Sequence, residues 1–454
     1  MKSYESKICF IIAGDDRKTY AVSTDSNKMT AYISFTAASI LLIALIILSI
    51  YVRKLRKKTR SSKSKSRRIL SNDSSSSDDF TMDDKYDNIP LRRRKSQKSS
   101  AQSRKSVNRD LENQAHAIPY DSKREIPRES FTVIEKIGSG NFGTVAKGEL
   151  TGLFSANSKT MVAIKSMKSN GKGPEMNDFL KEIKIMSYIK PHLNLVSMIG
   201  SCASCTEYQR ELWLILEYCK HGDLRIFLVQ NKGKILSITD DQFINEKLLL
   251  HFIHDISKGM EHLFNNKIMH GDLAARNIFL DINPLETGRP VAKVGDFGLS
   301  KKFDNKLVYE KQSRVHVPWK WMAMEYLVRD YFTLTSDVWS FGVVVWEILS
   351  FGRLPYGRAG YNEVFAQLED GYRLPCPSEV KNVSQWSPEI LYKDLSTLCF
   401  KADPEDRATF PDVVKIIEKH FTAEELQLNA QMSQSYESKW CIHYLKLGSQ
   451  HSIE

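Results

Sequence analysis

Ile268-Met269-His270-Gly271-Asp272-Leu273-Ala274-Ala275-Arg276-Asn277, followed by Val294-Gly295-Asp296-Phe297-Gly298, decides the fold of this chain. Asp272 is a carboxylate that can orient a hydroxyl and accept its proton. Asn277 and Asp296 offer oxygen donors of the hard kind that magnesium prefers. Gly298 gives the second stretch a hinge.

Upstream, Phe131 to Val145 reads FTVIEKIGSGNFGTV. Apolar Phe131, Val133 and Ile137 alternate as in a strand, and Val145 re-enters one. Between them Gly138, Gly140 and Gly143 let backbone amides approach a phosphate with no side chain in the way. Ile137, Gly138, Ser139, Gly140, Asn141, Phe142, Gly143, Thr144 and Val145 therefore form a candidate nucleotide cradle. Dinucleotide-binding folds share such glycines, but there a helix follows them; here the pattern is strand–turn–strand. Next comes Val162-Ala163-Ile164-Lys165, a lysine at the end of an apolar strand. Phe179, Leu180, Ile183, Met186 and Ile189 then recur at helical spacing, with Glu182 among them. A Lys165–Glu182 ion pair would hold the ammonium over the nucleotide's phosphates. The set positions groups and neutralises charge without a covalent nucleophile, which is what phosphoryl transfer requires.

These parts, in this order, resemble the eukaryotic protein kinases. The resemblance implies an α+β, bilobal fold, a strand-rich small lobe over a helical large lobe, with ATP and Mg2+ bound between them. By the same resemblance the catalytic group comprises Asp272, Arg276, Lys165 and Glu182, and Asn277 and Asp296 hold the metal. Leu-Ala-Ala-Arg-Asn at 273–277 is the tyrosine-kinase form of the loop. Serine/threonine kinases usually carry a lysine where Ala274 stands, and Arg276 reaches the region from further away, leaving space for a phenol. Pro318 to Ala323 matches the substrate-docking segment, and Asp337 to Gly342 the helix that anchors the large lobe. Ile118-Pro119-Tyr120-Asp121, Glu125-Ile126-Pro127-Arg128 and Pro191 to Val196 (PHLNLV) resemble the receptors for platelet-derived, vascular endothelial and fibroblast growth factors. That likeness runs from about Ile118 to Phe421. It implies that Glu217 to Cys219 form the hinge that takes adenine by its backbone, that Ala163 and Phe279 border the pocket, and that Leu216 is the gatekeeper. It also implies that Met186, Met198, His270 and Phe297 stack as an internal spine.

Four positions break the family pattern. Gly271 replaces an arginine that in relatives pairs with a phosphorylated activation-loop residue. Tyr309, the only tyrosine between Asp296 and Tyr326, matches the autophosphorylation position. Its phosphorylation should have a weakened effect here, unless Lys301 or Arg314 substitutes for the missing arginine. Met324 replaces a proline, while Glu325 remains to pair with Arg407. Phe279 stands where a leucine usually supports adenine, and Phe400 replaces a tryptophan as a packing variation.

The rest of the chain has a different character. The net charge of +11 belongs to Arg53–Ser130, which holds 22 basic and 11 acidic side chains; Met1–Val52 carries +1 and the remainder −1. A basic face for nucleic acid belongs on a domain rather than a linker, so no nucleic-acid partner is expected. Ala31 to Val52 (AYISFTAASILLIALIILSIYV) is uncharged and long enough to cross a bilayer. Arg53, Lys54, Arg56, Lys57, Lys58 and Arg60 follow it and put the rest in the cytosol. The expected organisation is an outside segment over 1–30, a transmembrane helix over 31–52, a largely disordered linker over 53–130, the kinase domain over 131–421 and a tail over 422–454. The outside segment is too short to bury a core. The first basic block would meet anionic lipids of the inner leaflet. Ala37, Ala38 and Ala44 offer small residues for a homodimer, without a Gly-x-x-x-Gly pattern. Seven scattered cysteines imply no disulfide framework. Cys202 and Cys205 lack a second pair for zinc and read as strand and turn. Tyr436 and Tyr444 read as docking sites or surface tyrosines. The expectation is an active, receptor-type, single-pass protein-tyrosine kinase of unknown ligand; the alternative is a membrane-bound pseudokinase scaffold.

Overall fold

A five-stranded antiparallel sheet in the order β1-β2-β3-β5-β4 builds the small lobe. Its strands are β1 (Phe131–Gly140), β2 (Gly143–Thr151), β3 (Lys159–Ser166), β4 (Met198–Cys205) and β5 (Arg210–Glu217). The structure is a computed structural model. It describes residues 118–140, 143–155, 157–167, 174–205, 210–236, 245–282, 285, 288–303, 309–310, 317–380 and 386–450. These all belong to one compact unit within Asp78–Glu454. The expected segments 1–30 and 31–52, the linker as far as residue 117, and Arg314 lie outside the described residues. Among the described residues no helix is long and apolar enough to cross a membrane.

The period of two along a strand explains how β3 serves two faces. Val162 and Ile164 point into a buried cluster with Phe131, Leu150 and Ile215, and Ala163 and Lys165 therefore face the other way. Helix α1 (Pro174–Tyr188) follows. Phe179, Ile183 and Met186 lie on one helical stripe and are all buried, which carries Glu182 to the same side. The segment before β1 docks on β4: the Ile126 amide donates to the Ser201 carbonyl at 2.8 Å, and the Tyr120 hydroxyl meets Glu125 and, at 2.7 Å, Ser201 Oγ.

The large lobe is helical. Its first two helices are α2 (Leu224–Leu236) and α3 (Lys247–Asn265). α4 (Met324–Arg329), α5 (Ser336–Leu349), α6 (Tyr361–Glu369), α7 (Pro388–Cys399) and α8 (Phe410–Glu418) follow. Every residue of α5 is buried, as its all-round apolar sequence requires. α8 starts at a capping box between Thr409 and Asp412 with a proline in the first turn, which satisfies amides the helix cannot. Short two-stranded ladders carry the loops of the site: β6 (Ile268–Met269) with β9 (Lys301–Lys302), β7 (Ile278–Asp281) with β8 (Val291–Val294), and β10 (Tyr309–Glu310) with β11 (Tyr331–Phe332). The last element, α9 (Ala423–Gln450), is one helix of 28 residues. β4 contains both Cys202 and Cys205.

Candidate active site

Lys165 sits between Val145 of β2 and Leu214 of β5 in the sheet. Its Nζ donates to Glu182 Oε1 at 2.6 Å and to Asp296 Oδ1 at 3.0 Å. Burial works against the ammonium, but Asp296 and Glu182 outweigh it and hold its pKa above the ordinary lysine value. The expected pair is thus closed, and it joins strand, helix and loop at one point. Asp296 has φ of 62°, a left-handed conformation that costs a non-glycine residue free energy and is held by its surroundings.

The loop carrying Asp272 is fixed by backbone amides. His270 and Gly271 donate their N–H groups to the two oxygens of Asp337, at 2.6 and 3.0 Å. The Ala275 amide donates to Glu347 Oε2 at 3.0 Å, and the Trp321 indole N–H donates to the same oxygen at 2.8 Å. Burial raises the pKa of both Asp337 and Glu347. The Asp272 amide donates to His270 Nδ1 at 3.2 Å, so the ring's proton is on Nε2, which lies 3.1 Å from the Gly295 carbonyl. Arg276 donates to Asp272 Oδ1 at 2.5 Å, with its guanidinium 4.4 Å from the Trp321 ring centroid. Asn277 Nδ2 donates to the Asp272 carbonyl at 2.7 Å, which leaves its amide oxygen free of that bond as a cation donor. The carboxylate of Asp296 and the amide oxygen of Asn277 are both hard donors, so the residues present fit magnesium.

On the nucleotide side, Gly138 pairs with Val145, Ser139 with Thr144 and Gly140 with Gly143. A Cβ on Gly143 would stand 2.1 Å from the Ser166 carbonyl oxygen, so glycine is required there. Ile137 is 47% exposed on β1. Asn141 and Phe142 lie outside the described residues. Ala163 pairs with Leu216 across β3 and β5, which brings the expected pocket wall and gatekeeper together. Glu217 ends β5, and Cys219 follows it half-buried. Phe279 lies against Gly295: a Cβ there would be 3.1 Å from two of its ring carbons. Phe297 tilts against His270 with centroids 5.3 Å apart, and Met186 and Met198 share a buried cluster with Phe297.

The departures have structural counterparts. Gly271 has φ of 79°. Glu325 takes two bonds from Arg407, at 2.7 and 2.8 Å, and one from Ser336 Oγ at 2.6 Å. Met324 is the first residue of α4, where proline is favoured but not required. Phe400 packs edge-on to Trp339 with centroids 5.2 Å apart. For Tyr309 the backbone is described: it pairs with Phe332. Lys301 Nζ, from the separate β6–β9 ladder, lies 5.2 Å from the Phe332 ring centroid. Sequence reasoning passed over Asp337 and Glu347 as individual groups. The available signal was an acid inside a helix apolar on every side, which demands a partner. Tyr436, read as a docking site or a surface tyrosine, is no surface residue: it is only 6% exposed.

A fold of this kind, with lysine, carboxylates and amide gathered between two lobes, defines a protein kinase. The chain belongs to the protein tyrosine and serine/threonine kinase family, whose model matches residues 131–417. It is similar to a fibroblast growth factor receptor of Strongylocentrotus purpuratus, 33% identical over 66% of this chain and 30% of that protein. It is also similar to the tyrosine kinase receptor Cad96Ca of Drosophila melanogaster, 30% identical over 65% of this chain and 36% of that protein. The chain spans about a third of the length of these relatives.

Proposed function

We propose that the chain is a receptor-type protein-tyrosine kinase. It transfers the γ-phosphoryl group of ATP to tyrosines of proteins, its own included. The observation that carries this is the assembled set around Asp272: Arg276 at 2.5 Å, no lysine at Ala274, and the closed Lys165–Glu182 pair. Asp272 orients the phenol and takes its proton. Arg276 steadies that carboxylate and stacks on Trp321, which leaves room for an aromatic substrate. Lys165 holds the nucleotide's phosphates, and the glycine turn of β1 and β2 covers them. Magnesium, held by Asn277 and Asp296, would neutralise phosphate charge.

The similarity to receptors and the apolar segment Ala31–Val52 support a single-pass protein of the plasma membrane with the kinase on the cytoplasmic side. The basic residues after that segment support contact with anionic lipids. The organisation proposed is the one read from sequence: 1–30 outside, 31–52 in the bilayer, 53–130 linker, 131–421 kinase, 422–454 tail. Gly271 and Phe279 support a second reading, a scaffold without catalysis.

Purified chain, ATP and magnesium, offered a Glu/Tyr polymer and a Ser/Thr peptide pool, decide between the two. Tyrosine transfer that vanishes in Asp272→Asn is expected. ATP binding without transfer would overturn the kinase reading in favour of the scaffold.

A further inference from the structure

The C-terminal helix α9 starts on the large lobe and ends on the small one. Lys247 of α3 meets Glu425 at 2.5 Å. Arg289, paired with Asp255, donates to Asn429 Oδ1 at 3.1 Å. Met432, Tyr436 and Trp440 then fall at i, i+4 and i+8 on one stripe. All three are buried, in the small-lobe cluster that contains Leu193, Ile199 and Ile215.

The polar member of that stripe reaches the end of β5. Tyr436 Oη donates to the Glu217 carboxylate, 2.9 and 3.0 Å from its two oxygens, and lies 2.8 Å from Ser197 Oγ. Lys293 Nζ is 3.9 Å from the Tyr436 ring centroid and 3.3 Å from Glu217. Burial, with Glu217 beside it, pushes the phenol's pKa well above its usual value, so it stays a donor. Glu217 also takes the Ser197 amide at 2.6 Å. One phenol therefore closes a buried cluster immediately before the interlobe segment Glu217–Cys219.

We propose that α9 is a strap across the chain's own interlobe segment, and that Tyr436 is its latch and a phosphorylation site that releases it. The proposal rests on the tyrosine-kinase reading for its phosphoryl donor, a second copy of this chain. In that step Tyr436 Oη bonds to the γ-phosphorus of ATP, and the bond from that phosphorus to the β–γ bridging oxygen breaks. The electron pair leaves with ADP, and the phenolic proton passes to Asp272 of the catalysing copy. A docked Tyr436 is shielded from this, because its hydroxyl is buried on Glu217. A phosphorylated Tyr436 cannot return, because a phosphate carrying about −1.5 to −2 charge would face the Glu217 carboxylate in a packed site. Docking and modification exclude each other.

The test uses the full chain in detergent micelles, with phosphate at Tyr436 followed by mass spectrometry and α9 by amide hydrogen exchange. Met432→Asp, or Trp440→Ala should the first variant misfold, frees the stripe. Either is expected to speed modification of Tyr436 by about tenfold or more, the scale of a local opening penalty removed. Phosphorylated chains should lose protection along α9 and over Ser197–Glu217. Equal rates in wild type and variant where modification occurs, retained α9 protection with Tyr436 phosphorylated, or no modification of Tyr436 in freed variants that do phosphorylate the Glu/Tyr polymer would each overturn the latch. A parallel arm gives Asp272→Asn chain to a separate broad-specificity tyrosine kinase. Release of α9 there, with no autophosphorylation by wild type, would sink the kinase reading and leave the latch standing.

Discussion

Consider Gly271→Ala, at the position where relatives carry arginine. The backbone there has φ of 79°, and left-handed geometry costs an L-residue roughly 1–2 kcal/mol. The new Cβ would also stand 2.9 Å from the Leu299 carbonyl oxygen and 3.3 Å from Met269 Cε. A methionine tip can move. The Leu299 carbonyl is less free, since the next residue is tied by Ser300 N–H to the Phe297 carbonyl and by Ser300 Oγ to the His270 carbonyl, each at 3.0 Å. Against this, alanine restricts the unfolded chain and returns about 0.4–1 kcal/mol. These two terms leave a loss of about 0–1.6 kcal/mol, to which the 2.9 Å contact adds, so the net expectation is a loss of about 1 kcal/mol or more. Urea unfolding followed by tryptophan fluorescence measures it, with Gly233→Ala as control. Gly233 lies inside α2 with nothing within 4 Å of a built Cβ, so alanine there should stabilise by about 0.5–1 kcal/mol. A Gly271→Ala protein as stable as wild type would refute the strain.

Other outcomes follow from the same geometry. Glu325→Gln leaves Arg407 buried without its carboxylate and should cost about 3–5 kcal/mol in the same unfolding assay. Glu182→Gln should lower kcat/KM on the Glu/Tyr polymer by about a hundredfold with the fold intact by circular dichroism, since Lys165 is left with Asp296 and shifts from its place. Burial, with His262 and two lysines adding to it, lowers the His192 pKa to about 3. Its neutral form is favoured in the fold, so stability is lost as pH falls from about 6.5 toward 3. His192→Asn should flatten the pH dependence of unfolding in that window relative to wild type, and an unchanged slope would refute the linkage. Phosphorylating Tyr309 should raise the rate by less than about a hundredfold, because no arginine stands at 271 to order the loop through a charge-assisted bond; a larger rise, measured on quantitatively phosphorylated enzyme, would show that another cation has taken the role.

Much of the site was legible in sequence because its signals are local or come at fixed spacing. The glycine turn announces itself by residues that alone tolerate its geometry, as Gly143 does against the Ser166 carbonyl. Lys165 and Glu182 were predictable because each needs the other once an apolar strand and an amphipathic helix bury them. Glu325 and Arg407, distant in the chain, were paired through the family resemblance and meet as expected. What escaped notice depends on tertiary placement. Met432, Tyr436 and Trp440 do form a helical stripe, but three large side chains in a polar tail have no partner in sequence. Only the fold of Ser197, Glu217 and Lys293 into one spot makes them core.

On the proposed reading, the substitution at 271 bears on regulation rather than on the chemical step. Every bond that positions Asp272 comes from somewhere other than a side chain at that position. Asp337 holds the His270 and Gly271 amides, Glu347 holds the Ala275 amide, and His270 Nδ1 holds the amide of Asp272 itself. Arg276 and Asn277 close on Asp272 from the other side. Residue 271 contributes its N–H and its backbone angle, and glycine supplies both without strain. An arginine there would add a long cation but none of these bonds, and would meet the left-handed backbone and the Leu299 carbonyl that any side chain at 271 meets. The loop carrying that carboxylate is therefore placed by two buried acids of α5, and on the proposed reading the glycine at 271 withholds only the cation that would couple this frame to phosphorylation of the loop.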